Sequence, residues 1–205
     1  MTTTRKRFTA PQRLLHWLMA ICILTMLFIG VGMVSTVTPK YLTLVQIHKP
    51  LGIAILVLAL IRLTLRLIYK APALPPDLPE PIKLGAELSQ YVLYALMISM
   101  PLIGWGMLSA ASYPVVLFGS VHLPPILPLS PTLHTWLWRA HHYLAFLFFA
   151  TILMHLSAIL FHKLIRNDGI FETMAPVLTR NQAALISDER VLEDNQPVLS
   201  RNQPR

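Results

Sequence analysis

The chain contains a single cysteine, Cys22, and no CxxCH motif, which excludes covalent attachment of a c-type haem. A lone cysteine on an apolar stretch reads as a small packing residue. Charge is scarce as well. Asp, Glu, Lys and Arg make up 13% of the 205 residues against 55% hydrophobic ones, so an ordinary water-soluble domain is excluded. Acidic residues are scarcer than basic ones, nine against seventeen. The resulting net charge of +8 is spread over the flanks of apolar runs, which points to a lipid bilayer as the partner and to no nucleic acid.

Long apolar runs are what the sequence has in abundance. They occupy residues 14–36, 44–69, 86–111 and 136–162, and each exceeds the ~20 residues that a spanning helix needs. The expected fold is an all-α membrane protein, a bundle of four transmembrane helices. The first run is too long for the core of a signal peptide and no small-residue cleavage site follows it, so it is taken as a span of the mature chain. No internal repeat is visible. Three parts follow: a basic N-terminus over residues 1–13, a helical membrane domain over 14–170, and a mobile tail over 171–205, where Asn, Gln, Asp, Glu and Arg replace the apolar pattern.

Basic residues near the span ends set the orientation. Arg5, Lys6, Arg7 and Arg13 precede the first span, Arg62, Arg66, Lys70 and Lys83 border the link between the second and third, and Lys163 and Arg166 follow the fourth. These ends, and with them both termini, are expected in the cytoplasm. The opposite side carries only Lys40, Lys49 and Arg139, because Asp77, Glu80, Glu87, Asp168 and Glu172 all fall on the cytoplasmic side. Residues 71–82 hold Pro72, Pro75, Pro76, Pro79 and Pro81 and predict an extended link. Residues 113–135 are rich in proline and carry no formal charge, which suits a loop on the membrane interface, either covering a bound group or serving as a plain hydrophobic lid.

Ionisable side chains are rare and costly inside a membrane, which makes the histidines on these runs the most informative residues. His16 opens the first span at the inner edge, His48 opens the second at the outer edge, and His141 and His155 take outer and inner positions on the fourth. The fourteen residues from His141 to His155 return the side chain to within ~40° of its starting direction and rise ~21 Å. One helix face thus presents a histidine near each edge of a ~30 Å hydrocarbon core. Depth pairs His16 with His155 and His48 with His141. Facing imidazoles at two depths match the axial ligands of two stacked haems, held non-covalently and hence b-type. His142 lies ~220° from His155 and faces away. His162, one heptad beyond His155, sits ~10 Å deeper, where it meets propionates or water rather than iron. His122 and His134 fall in the outer loop and read as surface histidines.

Gly30, fourteen residues after His16, and Gly52, one turn after His48, either clear space for the macrocycles or serve plain helix packing. Arg62 and Arg66 follow His48 by fourteen and eighteen residues and point into the bundle at the inner edge. A guanidinium there suits a haem propionate by bidentate pairing, while anchoring to lipid phosphate is the alternative for either one.

Four segments together resemble the prokaryotic cytochrome b561 family: RLLHWLM around His16, IHKPLGIAILVLALIRLTLRL from His48 through Arg66, YVLYALMISMPLIGWGM in the third run, and HHYLAFLFFATILMH from His141 to His155. The resemblance covers residues 7–175. It implies a four-helix di-haem b cytochrome of the bacterial inner membrane, with His16, His48, His141 and His155 as axial ligands. It also implies a membrane quinone such as ubiquinone as one redox partner, and some family members oxidise superoxide at the outer haem and pass the electrons to ubiquinone.

Two histidines on each iron leave no open coordination position, so the expected chemistry is single-electron transfer rather than binding or activation of oxygen; that the quinone pool lies at one end of the path is what the resemblance implies. Lys40, Lys49 and Arg139 would steer a small anion such as superoxide to the outer haem, unless they are ordinary loop charges. Two other classes stand beside this one. A membrane electron-transfer subunit for a dedicated periplasmic redox protein or dehydrogenase would use the same haems, and a transporter would use the histidines for protons or metal ions. The third run lacks histidine, carries Pro101, Gly104 and Gly106, and is expected to contribute packing alone.

Overall fold

The computed structural model describes residues 7–69, 71–76 and 78–176, so Arg5, Lys6, Lys70, Asp77 and tail residues 177–205 lie outside it. Met1–Met174 forms one unit and Ala175–Arg205 a second, and the fold below is that of the first. Four long helices build it: α1 (Ala10–Ser35), α2 (Lys40–Ile68), α3 (Glu80–Ala110) and α4 (Pro131–Phe161), the last prolonged by a π-helical turn over His162–Arg166. All four are long and apolar enough to cross a membrane, as the four apolar runs predict. Their outward faces carry large apolar side chains, among them Phe28, Leu67, Tyr143 and Phe146, in keeping with a lipid surround.

Each helix starts before its apolar run, where a proline or a polar capping residue stands at the N-terminal end, and stops with it. At the start of α1, Gln12 Oε1 accepts from the Thr9 backbone N–H at 3.1 Å, and Gln12 Nε2 donates to the Tyr69 carbonyl at 3.1 Å. One buried glutamine therefore ties the beginning of α1 to the end of α2. The proline link is shorter than residues 71–82, since α3 begins at Glu80 and takes Pro81 into its first turn, where a missing N–H costs nothing. At the other end, the Ser130 hydroxyl accepts from Leu133 N–H and caps α4, while Ser130 N–H donates to the Ala110 carbonyl at 3.0 Å and joins α4 to the end of α3. The helices run alternately up and down, α1 packing on α2, α2 on α3 and α3 on α4. Their small core draws on every helix: Met19, Ala59 and Met97 are buried together, with Phe148 packed against them.

At the end holding the α1–α2 and α3–α4 connections, the segment expected as a loop contains a hairpin. Its strands β1 (Val115–Leu117) and β2 (Val121–Leu123) pair antiparallel with Val116 opposite His122. The turn uses left-handed backbone at Phe118 and Gly119, with φ 52° and 77°. β1 lies against α2, and Lys49 Nζ donates to the Pro114 carbonyl at 3.5 Å. His122 lies in β2, its Nδ1 paired with the Ser120 carbonyl; His134, expected in the outer loop, lies instead in the first turn of α4, because that helix starts at Pro131 behind its Ser130 cap, and its Nδ1 pairs with the Met107 carbonyl of α3.

The opposite, basic end is closed by a clasp. Residues 171–174, placed with the tail from sequence, belong to a short helix α5 (Ile170–Met174). Phe8 N–H donates to the Thr173 carbonyl at 3.2 Å, Arg7 Nε to the Glu172 carbonyl at 3.0 Å, and the Trp17 indole N–H to the Met174 carbonyl at 2.9 Å. Asp168 organises the turn into α5: its Oδ2 meets His162 Nδ1 at 2.6 Å and Arg166 Nε at 3.1 Å, and its Oδ1 accepts from Ile170 N–H at 3.2 Å. His162 is thus engaged by Asp168. Lys163 pairs with Glu172 beside it.

Burial pushes the Asp168 carboxyl up, but the hydrogen bonds from His162 and Ile170 and the nearby cations outweigh it and hold the group below its ordinary range. A depressed carboxyl contributes stability above its unfolded value and loses it as pH falls through the folded one. Asp168→Asn should therefore loosen α5 at neutral pH, by about 1–3 kcal/mol of local stability, with amide exchange over residues 170–174 about tenfold faster. The unsubstituted protein should show the same loosening only in acid. Equal exchange in both proteins at neutral pH would contradict the role given to Asp168.

Candidate functional site

The four histidines come together in two facing pairs. His16 on α1 and His155 on α4 have ring centroids 6.5 Å apart, and His48 on α2 and His141 on α4 have theirs 6.2 Å apart. All four residues are half-buried. The first pair lies toward the basic end and the second toward the hairpin end, as helix depth predicts. Neither α1 and α4 nor α2 and α4 are among the closely packed helix pairs, so each pair of rings meets across a gap between backbones that stand apart. The layer of Met19, Ala59, Met97 and Phe148 lies between the two depths, with Phe148 midway between His141 and His155 on α4.

Arg62 shares the depth of the basic-end pair. His16 lies six residues after Ala10, Arg62 six before Ile68 and His155 six before Phe161, each counted from the basic end of its helix. Arg62 Nε donates to the Tyr94 hydroxyl at 3.2 Å, while a terminal guanidinium nitrogen is buried without a partner. The Arg66 guanidinium lies 6.0 Å from the centre of the same Tyr94 ring, at the outer limit of a cation–π contact. Arg13 Nε, His48 Nδ1 and His141 Nδ1 are also buried without hydrogen bonds. Buried polar atoms are nearly always satisfied in folded proteins, so this set marks where the chain leaves donors open to something else.

Gly30 and Gly52 border open space. A Cβ on Gly30 would meet nothing within 4 Å, and one on Gly52 would touch only the Met26 methyl at 3.7 Å. The close approach is made on α3, where a Cβ on Gly104 would stand 3.3 Å from Cε1 of His141. The helix expected to pack and no more therefore shapes both sites, through Gly104 at one and Tyr94 at the other. Sequence reading missed both. The available signal was a polar hydroxyl inside an apolar run and a glycine at its hairpin end.

The remaining residues fall where phase puts them. His142 stacks on Trp138, centroids 4.7 Å apart and rings tilted by 30°. Lys40 and Arg139 are exposed at the hairpin end, Arg139 lying 5.7 Å over the Trp136 ring, and Lys49 is held by the Pro114 carbonyl.

An apolar four-helix bundle that sets pairs of imidazoles opposite one another across helix gaps, their planes 72° and 65° apart, has the architecture of a membrane cytochrome. The chain belongs to the prokaryotic cytochrome b561 family, whose model matches residues 7–176. It is 26% identical over 175 residues to cytochrome b561 homolog 2 of Escherichia coli (strain K12), covering 84% of this chain and 93% of that one. It is 28% identical over 173 residues to a Yersinia pestis protein named probable superoxide oxidase CybB, covering 83% and 97%. Cytochrome b561 homolog 1 of Escherichia coli (strain K12) is 25% identical over 178 residues, again covering 83% and 97%. The protein is accordingly a membrane electron-transfer cytochrome that binds b-type haem, which leaves no place for the transporter reading.

The Gly104 contact makes a specific demand. Gly104→Leu should push the His141 ring aside and lower the haem-to-protein ratio of the purified protein. Gly85→Leu, on the same helix but with open space around the added Cβ, should leave that ratio unchanged. Equal haem content in the two variants would remove Gly104 from the site.

Proposed function

We propose that the protein carries single electrons across the bacterial inner membrane through two bis-histidine b haems, the inner one held by His16 and His155 and the outer one by His48 and His141, with both termini in the cytoplasm. The spacing of the rings carries this reading. An imidazole nitrogen binds a first-row metal at about 2 Å and lies roughly 1.1 Å from its own ring centre, so two rings on opposite sides of one ion have centres about 6.2 Å apart. The two pairs stand at 6.5 and 6.2 Å. Among the described residues no group of three His, Cys, Asp or Glu side chains could hold a metal ion. A bare ion of the zinc kind takes three or four protein ligands, whereas two imidazoles suffice for an iron that brings its equatorial ligands in a macrocycle.

The surroundings support the same group. The gaps beside α4 suit a flat apolar ring, and the space at Gly30 and Gly52 leaves room for one. The open guanidinium nitrogen of Arg62, with Arg66 one turn away, suits a propionate at the inner edge. Haem would be held by these histidines and would supply a one-electron iron couple. The chain's own residues do the rest: the histidines orient the rings, the arginines balance the carboxylates, and the Met19, Ala59, Met97 and Phe148 layer keeps water out between the two depths.

The basic residues at one end of the bundle favour a cytoplasmic placement of that end. At the other, Lys40, Lys49 and Arg139 give a sparse positive field suited to a small anion. With a relative named as a probable superoxide oxidase, superoxide is the outer donor favoured here, and the quinone pool, ubiquinone in particular, the acceptor.

Haem counting tests the ligands. His16→Ala or His155→Ala should remove one haem equivalent and spare the other, His48→Ala or His141→Ala should remove the other, and His142→Ala should remove neither. Loss of a haem in the His142 variant with both retained in the His141 variant would reverse the assignment on α4. Haem reduction by superoxide tests the donor. It should slow as salt rises, since screening shortens to ~8 Å near physiological ionic strength, and charge reversal at Lys40, Lys49 and Arg139 should slow it about tenfold or more at low salt without loss of haem. Reduction no faster than for free haem in detergent would retire superoxide and favour a dedicated periplasmic redox protein or dehydrogenase as the partner.

A further inference from the structure

We propose that Tyr94 on α3 is a positioning residue that holds the Arg62 guanidinium beside the inner histidine pair, and that this fixed positive charge raises the reduction potential of the haem bound there. The inference rests on the reading of His16 and His155 as that haem's ligands. A long cationic side chain six residues from the end of an apolar helix would ordinarily extend along the helix to reach water or lipid phosphate. Arg62 is turned sideways instead. Its Nε donates to the Tyr94 hydroxyl at 3.2 Å, and Tyr94 is itself anchored by packing against the Met19, Ala59 and Met97 core. Arg66 lies over the same ring at 6.0 Å, which leaves the hydroxyl to Arg62.

The consequence follows from charge balance. Reduction of ferric to ferrous iron adds one electron and removes one unit of positive charge, so a neighbouring cation favours the reduced form. The sign is the same when Arg62 also pairs with a propionate, because removing the guanidinium leaves that anion uncompensated. At an effective dielectric of ~20, a unit charge ~10 Å away shifts such an equilibrium by about tenfold or more.

The test is a potentiometric titration of the full-length protein in nanodiscs, followed by its visible spectrum, with the inner component identified as the one missing in His155→Ala. Arg62→Gln should lower the reduced-to-oxidised ratio of the inner haem at fixed potential by about tenfold, ~59 mV for a one-electron couple, and leave the outer haem in place. Tyr94→Phe should shift the inner haem in the same direction by less, and should add nothing in the Arg62→Gln background, since a positioning residue has no effect without the group it positions. Arg62→Lys should retain most of the potential. Additive shifts, a Tyr94→Phe effect of equal size on both haems, or no shift at all would overturn the proposal. Where Arg62→Gln loses the inner haem, Tyr94→Phe and Arg62→Lys decide by the same criteria. If His155→Ala retains both components, the ligand reading itself fails and the proposal with it.

Discussion

An imidazole buried in hydrocarbon needs a partner, and α4 carries two that face different helices. His155 looks toward α1 and His141 toward α2, at 6.5 and 6.2 Å between ring centres. α4 cannot close on either neighbour without driving the rings together, so it is held on the bundle by α3 and stands off from α1 and α2. The rest of the architecture accommodates that standoff. The buried cluster that joins all four helices is small, Met19, Ala59 and Met97 with Phe148 against them, because lipid rather than protein solvates the outward faces.

A bundle opened in this way is tied at its ends. At the basic end, α1 is fastened twice: through Gln12 to Tyr69, the residue that follows α2, and through Phe8 and Trp17 to the segment around α5. At the hairpin end, Ser130 joins α3 to α4 and Lys49 reaches the residue before β1. These polar ties sit where water or headgroups compete least unfavourably for backbone groups. Within the apolar middle, Arg62 and Tyr94 join two different helices by a hydrogen bond, whereas Thr151 turns back on the Leu147 carbonyl of its own helix.

The sequence made the spans and the facing pairs legible for one physical reason: both depend on helical rise and phase, which are nearly constant inside a membrane. His141 and His155 could be placed on one face by arithmetic, and His142 set aside by the same arithmetic. What the sequence did not disclose depends on how helices are rotated against one another. Tyr94 meets Arg62, and Gly104 meets His141, only because α3 turns that face toward its neighbours, and no period in one helix fixes the rotation of another. The hairpin and α5 were hidden differently. Three-residue strands and a five-residue helix are too short to leave a periodic signal, and their prolines, glycines and mixed polar residues read as loop or tail.

Because α4 contributes one ring to each pair, neither pair exists until the last of the four long helices has left the ribosome and entered the bilayer. His16 and His48 then wait alone, on helices made earlier, through most of synthesis. Even the fastening of α1 to Thr173 and Met174 comes after that point. Assembly of this protein therefore waits on α4: both facing histidine pairs are completed together, once that helix has joined α1 and α2 in the bilayer.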